Sequence, residues 1–477
     1  MSGVTVICTV ALLERTSGFM VQVSKGTNFA AMKAAIYTFG CKQNYVESSS
    51  IADQLKRYGY ELVPFGEAAD VVVVNTCTVT ETADRECRKI VHRALHRSPD
   101  AVVVVTGCYA QLQPQEITAI DGVRLVVGNA EKHHLPRLIE RALGSTEPLI
   151  VHTPDLRSAD LEFVPAAFSE HDSRTRAFLK LQDGCDYSCS FCTIPHARGK
   201  SRSMPFEDIP SHVQRLVKAG YREIVLTGIN LGEYRSPTGE RLLDVLRLLA
   251  GMKVACRFRM SSVEPNRMHP DIVAVVSEHP SICPHFHLPL QSGSPEVLRA
   301  MRRRYNRELY AERVHMIKER IPHACIGADV LTGFPGETDE HFEETYRFIE
   351  SLPLSYLHVF TYSERELTDA AQRTDRVPYR VRKERTARLR ALSDAKREAF
   401  YHANVGTERT VLVECYDATI GAWTGYTENY CRVALPAATD GELMNVAITR
   451  CESMLLWAEA PDSNEQLSRY VALPVVA

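Results

Sequence analysis

Phe178-Leu179-Lys180-Leu181-Gln182-Asp183-Gly184-Cys185-Asp186-Tyr187-Ser188-Cys189-Ser190-Phe191-Cys192 runs a strand pattern straight into three cysteines that fall within eight residues. Thiolates at this spacing can wrap three corners of a cubane, leaving one iron without a protein ligand. Such an iron can chelate the amino and carboxyl groups of a methionine moiety. The competing reading is a zinc knuckle, but zinc takes four ligands and no fourth stands nearby in the sequence.

Downstream of this first strand, at 178–182, five more strand patterns fall at 223–226, 257–261, 285–288, 326–331 and 356–360. Helical patterns at 206–218, 242–249, 270–276, 308–320 and 339–352 lie between them. Six βα repeats over about two hundred residues suit an incomplete barrel of the TIM type, whose chemistry sits at the C-terminal strand ends. The cysteine loop therefore belongs at the barrel mouth.

Upstream, apolar runs at 35–39, 71–74, 102–105 and 125–127 read as buried parallel strands. Helical patterns at 47–58, 80–96, 116–120 and 132–142 alternate with them, which implies a doubly wound α/β sheet. Cys41, Cys77 and Cys108 each end one of these strands. In an open parallel sheet the strand C-termini share one edge, so three cysteines distant in sequence converge there. Gly40 and Gly107 permit tight turns just before two of them. Taken singly, each cysteine reads more often as a buried structural thiol, and only the equivalent positions of all three argue otherwise. Cysteines 8, 87, 256, 283, 325, 415, 431 and 451 show no such arrangement and read as core or surface thiols.

The chain has 477 residues, 45% apolar and 24% charged, with net charge −3 and 14 cysteines. It is long enough for several domains and far too large for a disulfide scaffold. Clustered cysteines in a reducing cytosol mean metal or catalysis, so a cytoplasmic location is expected. No apolar run approaches a membrane span. The run 4–13 contains Cys8 and Thr9 and lacks a basic flank, so it is a poor signal peptide. The expected organisation is an N-terminal extension at 1–33, loosely ordered, with Met32 as an alternative start. An α/β domain follows at 34–145, a linker at 146–173 and the partial barrel at 174–375. A basic helical linker at 376–402, a small β-barrel at 403–467 and a tail at 468–477 complete it. The β-barrel is read from runs at 409–415, 429–434, 443–450 and 454–458.

These features resemble the radical S-adenosylmethionine (SAM) methylthiotransferases over nearly the whole chain from Ala34. The loop Cys185–Cys192 looks like the family's C-x3-C-x2-C motif, Cys41, Cys77 and Cys108 match its auxiliary-cluster ligands, and the C-terminal segment resembles an RNA-binding TRAM domain. Thr38-Phe39-Gly40-Cys41-Lys42-Gln43-Asn44 and Ile194-Pro195-His196-Ala197-Arg198-Gly199-Lys200 are most similar to the tRNA branch acting on N6-threonylcarbamoyladenosine. There, Phe39 stands for Leu and His196 for Tyr.

The resemblance implies two 4Fe-4S clusters, SAM, and the anticodon stem-loop of tRNA as substrate. It implies an electron donor such as flavodoxin or ferredoxin. One SAM would methylate sulfur on the auxiliary cluster, and a second would yield the 5′-deoxyadenosyl radical that attacks C2 of the modified adenosine.

Other residues at the strand ends follow. Phe191 would pack on the SAM adenine, its alternative being a core aromatic. Thr227, Gly228 and Asn230 resemble the site for the methionine amino group. Ser261 or Glu264 would bind ribose hydroxyls, the alternative for Glu264 being a solvated carboxylate. Gln291 and the segment 332–337 face the mouth, where tight turns are the competing reading. His285 and His287 share a strand face and read as core histidines. Arg302, Arg303, Arg304, Arg380, Arg382 and Lys383 are candidate phosphate contacts, although a charge run is often only a solvated face. Two further readings stay open: a methylthiotransferase acting on isopentenyladenosine tRNA or a ribosomal-protein aspartate, and a non-enzymatic Fe-S RNA-binding redox sensor.

Overall fold

The computed structural model describes residues 5–8, 31–77, 81–166 and 175–459. The tail expected at 468–477, most of the extension at 1–33 and the end of the linker at 167–173 lie outside them. The chain packs as two units. Met1–Asp172, Gly184–Asp186 and Thr193–Lys200 form one; Ser173–Asp183, Tyr187–Cys192 and Ser201–Ala477 form the other.

The first unit is a seven-stranded parallel sheet. Its strands are β1 (Thr5–Cys8), β2 (Lys33–Thr38), β3 (Glu61–Leu62), β4 (Val71–Thr76), β5 (Val102–Gly107), β6 (Val123–Val127) and β7 (Leu149–His152), in the order β1-β7-β6-β5-β4-β2-β3. Helices α1 (Lys42–Arg57), α2 (Glu81–Arg97), α3 (Cys108–Leu112), α4 (Pro114–Thr118) and α5 (Leu135–Leu143) connect them. The Val-Val-Val-Val runs of β4 and β5 are buried throughout because both sheet faces are covered. Val72, Val74, Val103 and Val105 pack with Ile90, Val91 and Ile117, whereas Val71, Val73, Val102 and Val104 pack with Ile51, Leu55, Leu135 and Ile139.

Two sequence expectations change here. Leu149–His152, read as part of a linker, is the buried strand β7 on β6. Thr5–Cys8, read as part of a loose extension, pairs in parallel with β7 as an edge strand. Both are four-residue runs rich in β-branched residues, too short to announce themselves without their partners.

The second unit begins with β8 (Arg176–Lys180), and a small antiparallel pair follows, β9 (Gln182–Asp183) with β10 (Arg202–Ser203). The remaining barrel strands are β11 (Glu223–Thr227), β12 (Arg257–Met260), β13 (His285–His287), β14 (Cys325–Thr332) and β15 (Tyr356–Thr361). They form parallel sheets β12-β11-β8 and β13-β14-β15, joined by parallel bridges Phe258–Ile282 and Ser262–His287. Six parallel strands in chain order thus make the partial barrel that the βα repeats announce. A closed five-stranded barrel follows, formed by β16 (Glu408–Asp417), β17 (Ala422–Thr427), β18 (Arg432–Leu435), β19 (Leu443–Glu452) and β20 (Leu455–Glu459). Strand β17 was not legible in the sequence, since Ala-Trp-Thr-Gly-Tyr-Thr mixes polarities and carries a glycine.

The two barrels are clamped by a buried carboxylate. Glu223 on β11 receives Arg257 at 2.6 Å and Arg259 at 2.8 Å. The same guanidiniums donate onward to the carbonyls of Thr410, Tyr426, Thr427 and Glu428. Burial alone would push the Glu223 carboxyl up, but Arg259 and Arg257 outweigh it and hold it well below the usual carboxylate range. Glu223→Ala would strand two buried cations and is expected to cost about 3–5 kcal/mol, read as a lowered urea midpoint. Because the folded-state pKa is depressed, Glu223 stabilises fully above the unfolded value of about 4.3 and loses that contribution as pH falls below it.

Candidate active site

Cys41, Cys77 and Cys108 follow β2, β4 and β5, which are neighbours in the sheet. The chain order reverses between β2 and β4, so these cysteines stand at the topological switch point, where open α/β sheets bind ligands. The turns before two of them require glycine. Gly40 and Gly107 have φ of 91° and 98°, and a Cβ on Gly40 would lie 2.5 Å from Cys77 Cβ. A Cβ on Gly107 would lie 2.3 Å from the carbonyl oxygen of Thr76. Cys41 caps the N-terminus of α1, whose dipole favours a thiolate. Although Cys41 lies partly open to solvent, burial by the surrounding protein pushes its thiol up; Arg198 pulls it down and Cys108 adds to the rise.

A polar frame surrounds these cysteines. Asn44 donates to the carbonyls of Phe39 and Thr76, both at 2.9 Å, and its Oδ1 lies 3.9 Å from the Cys41 thiol. Arg198 reaches that Oδ1 at 2.7 Å and Glu47 at 2.8 Å. Lys132 pairs with Glu47 at 2.5 Å and donates to Asn129 Oδ1 at 2.9 Å. Asn129 Nδ2 in turn lies 3.6 Å from Cys108 Sγ. Asn44 and Arg198 stand in the quoted motifs, but their structural partnership was not foreseen; Glu47, Asn129 and Lys132 carried no sequence signal.

The other three cysteines lie in the loop after β9. Cys185 N–H donates to the carbonyl of Gly199 at 3.1 Å. Cys192 N–H donates to the carbonyl of Cys189 at 3.2 Å, and Ser190 is held by the carbonyls of Met301 and Ala300 at 3.1 and 2.8 Å. All three are half-buried. By contrast Cys256, Cys283, Cys325 and Cys431 are buried structural thiols; burial pushes Cys283 up to about 11 and Cys325 to about 12. Among the described residues no group of three His, Cys, Asp or Glu side chains is gathered to hold a single metal ion.

Around the mouth of the partial barrel the expected residues follow their strands. Asn230 has Nδ2 and Oδ1 both buried without a protein partner, and Ser261 Oγ is likewise orphaned. The Asn230 backbone is fixed by its N–H donating to Gln182 Oε1 at 2.9 Å. Thr227 spends its hydroxyl on the carbonyl of Leu179 at 3.3 Å, and Gly228 packs against Gln182. Phe191 stands edge-on to Phe334 at 6.4 Å. Gln291 adopts a left-handed φ of 66°, a strained conformation of the kind that clusters at binding sites. Glu264 is ion-paired with Arg303. His285 Nε2 bonds the Tyr356 hydroxyl at 3.0 Å, and His287 sits between Ser262 at 2.7 Å and Asp329 at 3.3 Å, so both are buried interior histidines.

Two family models match, "Uncharacterized protein family UPF0004" over residues 33–128 and "Radical SAM superfamily" over residues 179–349. Threonylcarbamoyladenosine tRNA methylthiotransferase MtaB of Aquifex aeolicus is 41% identical over 80% of this chain and 93% of its own length. The protein of the same name from Bacillus subtilis is 40% identical over 87% of this chain and 93% of its own. This chain belongs to the radical SAM methylthiotransferases. A tRNA-2-methylthio-N(6)-dimethylallyladenosine synthase of Sorangium cellulosum is 33% identical over 91% of this chain and 94% of its own. The radical SAM methyltransferase TsrM of Kitasatospora setae shares the fold, with a TM-score of 0.55 at 15% identity over 72% of this chain and 77% of its own.

The family uses SAM and two 4Fe-4S clusters, and the residues of this methylthiotransferase fit both groups. The orphaned Asn230 amide and Ser261 hydroxyl are buried polar atoms of the kind a polar cofactor satisfies. Two trios of cysteines would supply the thiolates that clusters require. Asn230→Ala is expected to weaken SAM binding about tenfold in equilibrium dialysis while leaving the apoprotein as stable as wild type, since it removes atoms that lack a partner there.

Two candidate phosphate contacts are corrected. Arg303 has its side chain only 4% exposed and turns to Glu264 and Cys189. Arg382, 6% exposed, is consumed by Glu364 and the carbonyls of Val377 and Tyr362. The segment read as a helical linker is helix α6 (Tyr379–His402), which packs on β15. Arg302 pairs with Asp369 at 2.5 Å on the surface, Arg304 lies 4.0 Å over the ring of Tyr187, and Arg380 and Lys383 stay outside.

Proposed function

We infer that this enzyme inserts a methylthio group at C2 of N6-threonylcarbamoyladenosine beside the anticodon of tRNA. The observation that carries the reading is its identity of 40% with the Bacillus subtilis protein of that name over 87% of the chain. The motif Thr38–Asn44 supports the same branch. The relative named for dimethylallyladenosine is also similar, at 33%.

In this reading Cys185, Cys189 and Cys192 hold the radical cluster, and Cys41, Cys77 and Cys108 hold the second. When bound, these groups supply SAM cleavage and the sulfur to be transferred. The protein's own part is placement. Asn230 and Ser261 would meet polar atoms of SAM, Phe191 would pack beside it, and the barrel would exclude water from a radical that otherwise reacts indiscriminately. Electrons come from a low-potential donor of flavodoxin or ferredoxin type, and the enzyme works in the cytoplasm. Among the described residues no helix is long and apolar enough to cross a membrane.

The C-terminal barrel resembles a TRAM domain, and with the exposed face of α6 it offers the tRNA phosphate contacts. Replacing Arg380 and Lys383 together with Ala is expected to weaken tRNA binding and to flatten its salt dependence by about two in the log–log slope at most. Filter binding across a salt series reads both.

The test is the purified holoenzyme with SAM, dithionite and an anticodon stem-loop carrying N6-threonylcarbamoyladenosine, followed by nucleoside mass spectrometry. A gain of one methylthio group on that nucleoside supports the reading. Modification only of a stem-loop carrying isopentenyladenosine overturns it.

A further inference from the structure

The turn after Met301 aims one arginine inward. Arg302 takes a left-handed φ of 58°, and the Arg303 N–H donates to the carbonyl of Leu298 at 3.0 Å. Met301 also accepts from the Ser190 N–H, so this turn is tied by its backbone to the loop bearing Cys189. Every nitrogen of the Arg303 guanidinium is engaged. Nε donates to the Tyr305 hydroxyl at 3.1 Å, Nη2 pairs with Glu264, and Nη1 donates to Cys189 Sγ at 3.2 Å. Tyr305 is fixed in turn by the carbonyls of Pro289 and Leu290 at 2.6 and 2.8 Å, and its ring lies 5.0 Å beneath the guanidinium. A buried cation held this firmly against one cysteine sulfur does more than fill space. Hydrogen bonds to the sulfurs and local charge are among the groups that set an iron–sulfur cluster's potential.

We propose that Arg303 is a positioning residue that raises the reduction potential of the cluster held by Cys189, and that Glu264 moderates its charge. One-electron reduction adds a negative charge to the cluster, and a fixed cation at a ligand sulfur favours the reduced form. The electron comes from an external one-electron donor, and no proton is exchanged with Arg303, whose guanidinium stays charged. The proposal rests on the reading that Cys189 ligates the radical cluster.

The test is an EPR-monitored redox titration of the full-length holoenzyme, poised with dithionite and mediators in the absence of SAM. The radical cluster's signal is the one that Cys189→Ala removes; the other cluster is an internal control of fold. Arg303→Gln is expected to lower the reduced-to-oxidised ratio at a given potential at least tenfold, a midpoint more negative by about 59 mV. Glu264→Gln, which leaves the Arg303 charge unmoderated, is expected to move the midpoint the opposite way, with the control cluster unmoved in both. A merely structural role would not give opposite signs. An unchanged midpoint in Arg303→Gln, or a shift of the same sign in Glu264→Gln, overturns the proposal. Where Arg303→Gln cannot hold its clusters, Arg303→Lys keeps the charge: a midpoint near wild type supports the proposal, and one displaced by tenfold or more overturns it. Were both signals to survive Cys189→Ala, the ligand assignment itself would have failed instead.

Discussion

Cys189→Ala is expected to abolish methylthio transfer and 5′-deoxyadenosine release together, each by at least about a thousandfold, because the cofactor carries the chemistry. Cys189 is held where its loop neighbour Ser190 is anchored to Met301 and Ala370, so alanine there removes a ligand without unmaking the loop. SAM turnover with and without tRNA, measured by chromatography of the released nucleoside, gives the result. Retention of 5′-deoxyadenosine release in this variant would show that Cys189 does not hold the radical cluster.

Cys108→Ala should separate the two activities. Transfer of the methylthio group is expected to fall to background, while 5′-deoxyadenosine release stays within about a factor of two of wild type. The physical reason is the placement of Cys41, Cys77 and Cys108 on neighbouring strand ends, outside the two apolar clusters that flank the sheet. Equal loss of both products would place Cys108 in the radical site or in folding.

The fold was legible wherever a periodic pattern was long. The Val-rich runs of β4 and β5 and the repeated βα pattern of the second unit could hardly be read otherwise. Legibility failed for short strands whose identity depends on a partner, as with Thr5–Cys8 and Ala422–Thr427.

For the proposed site, the six cysteines stand out in the sequence by spacing or by topological position. The arginines did not, because a charge run does not reveal which members face inward. In the C-terminal basic helix a signal was present but unread: Arg382, Arg385, Leu389 and Ser393 recur at helical spacing and are all buried, whereas Arg380 falls off that stripe. Arg303 had no such periodicity to betray it. Only the left-handed turn at Arg302 sends it inward, and turn geometry at a non-glycine residue is not readable from residue type.

The orphaned atoms of Asn230 and Ser261 are what the proposed cofactor site looks like by itself. An unpaired buried polar group costs stability until a ligand supplies the missing partner. The same reasoning separates these residues from Thr227, whose hydroxyl is already bonded to the backbone.

The central claim is the target nucleoside, and it is tested most directly by mass spectrometry of tRNA nucleosides from cells lacking this gene. Loss of 2-methylthio-N6-threonylcarbamoyladenosine, its return with the wild-type gene and its continued absence with Cys189→Ala are the predicted results. An unchanged level of that nucleoside in the deletion, with another methylthio-nucleoside lost instead, would contradict the claim.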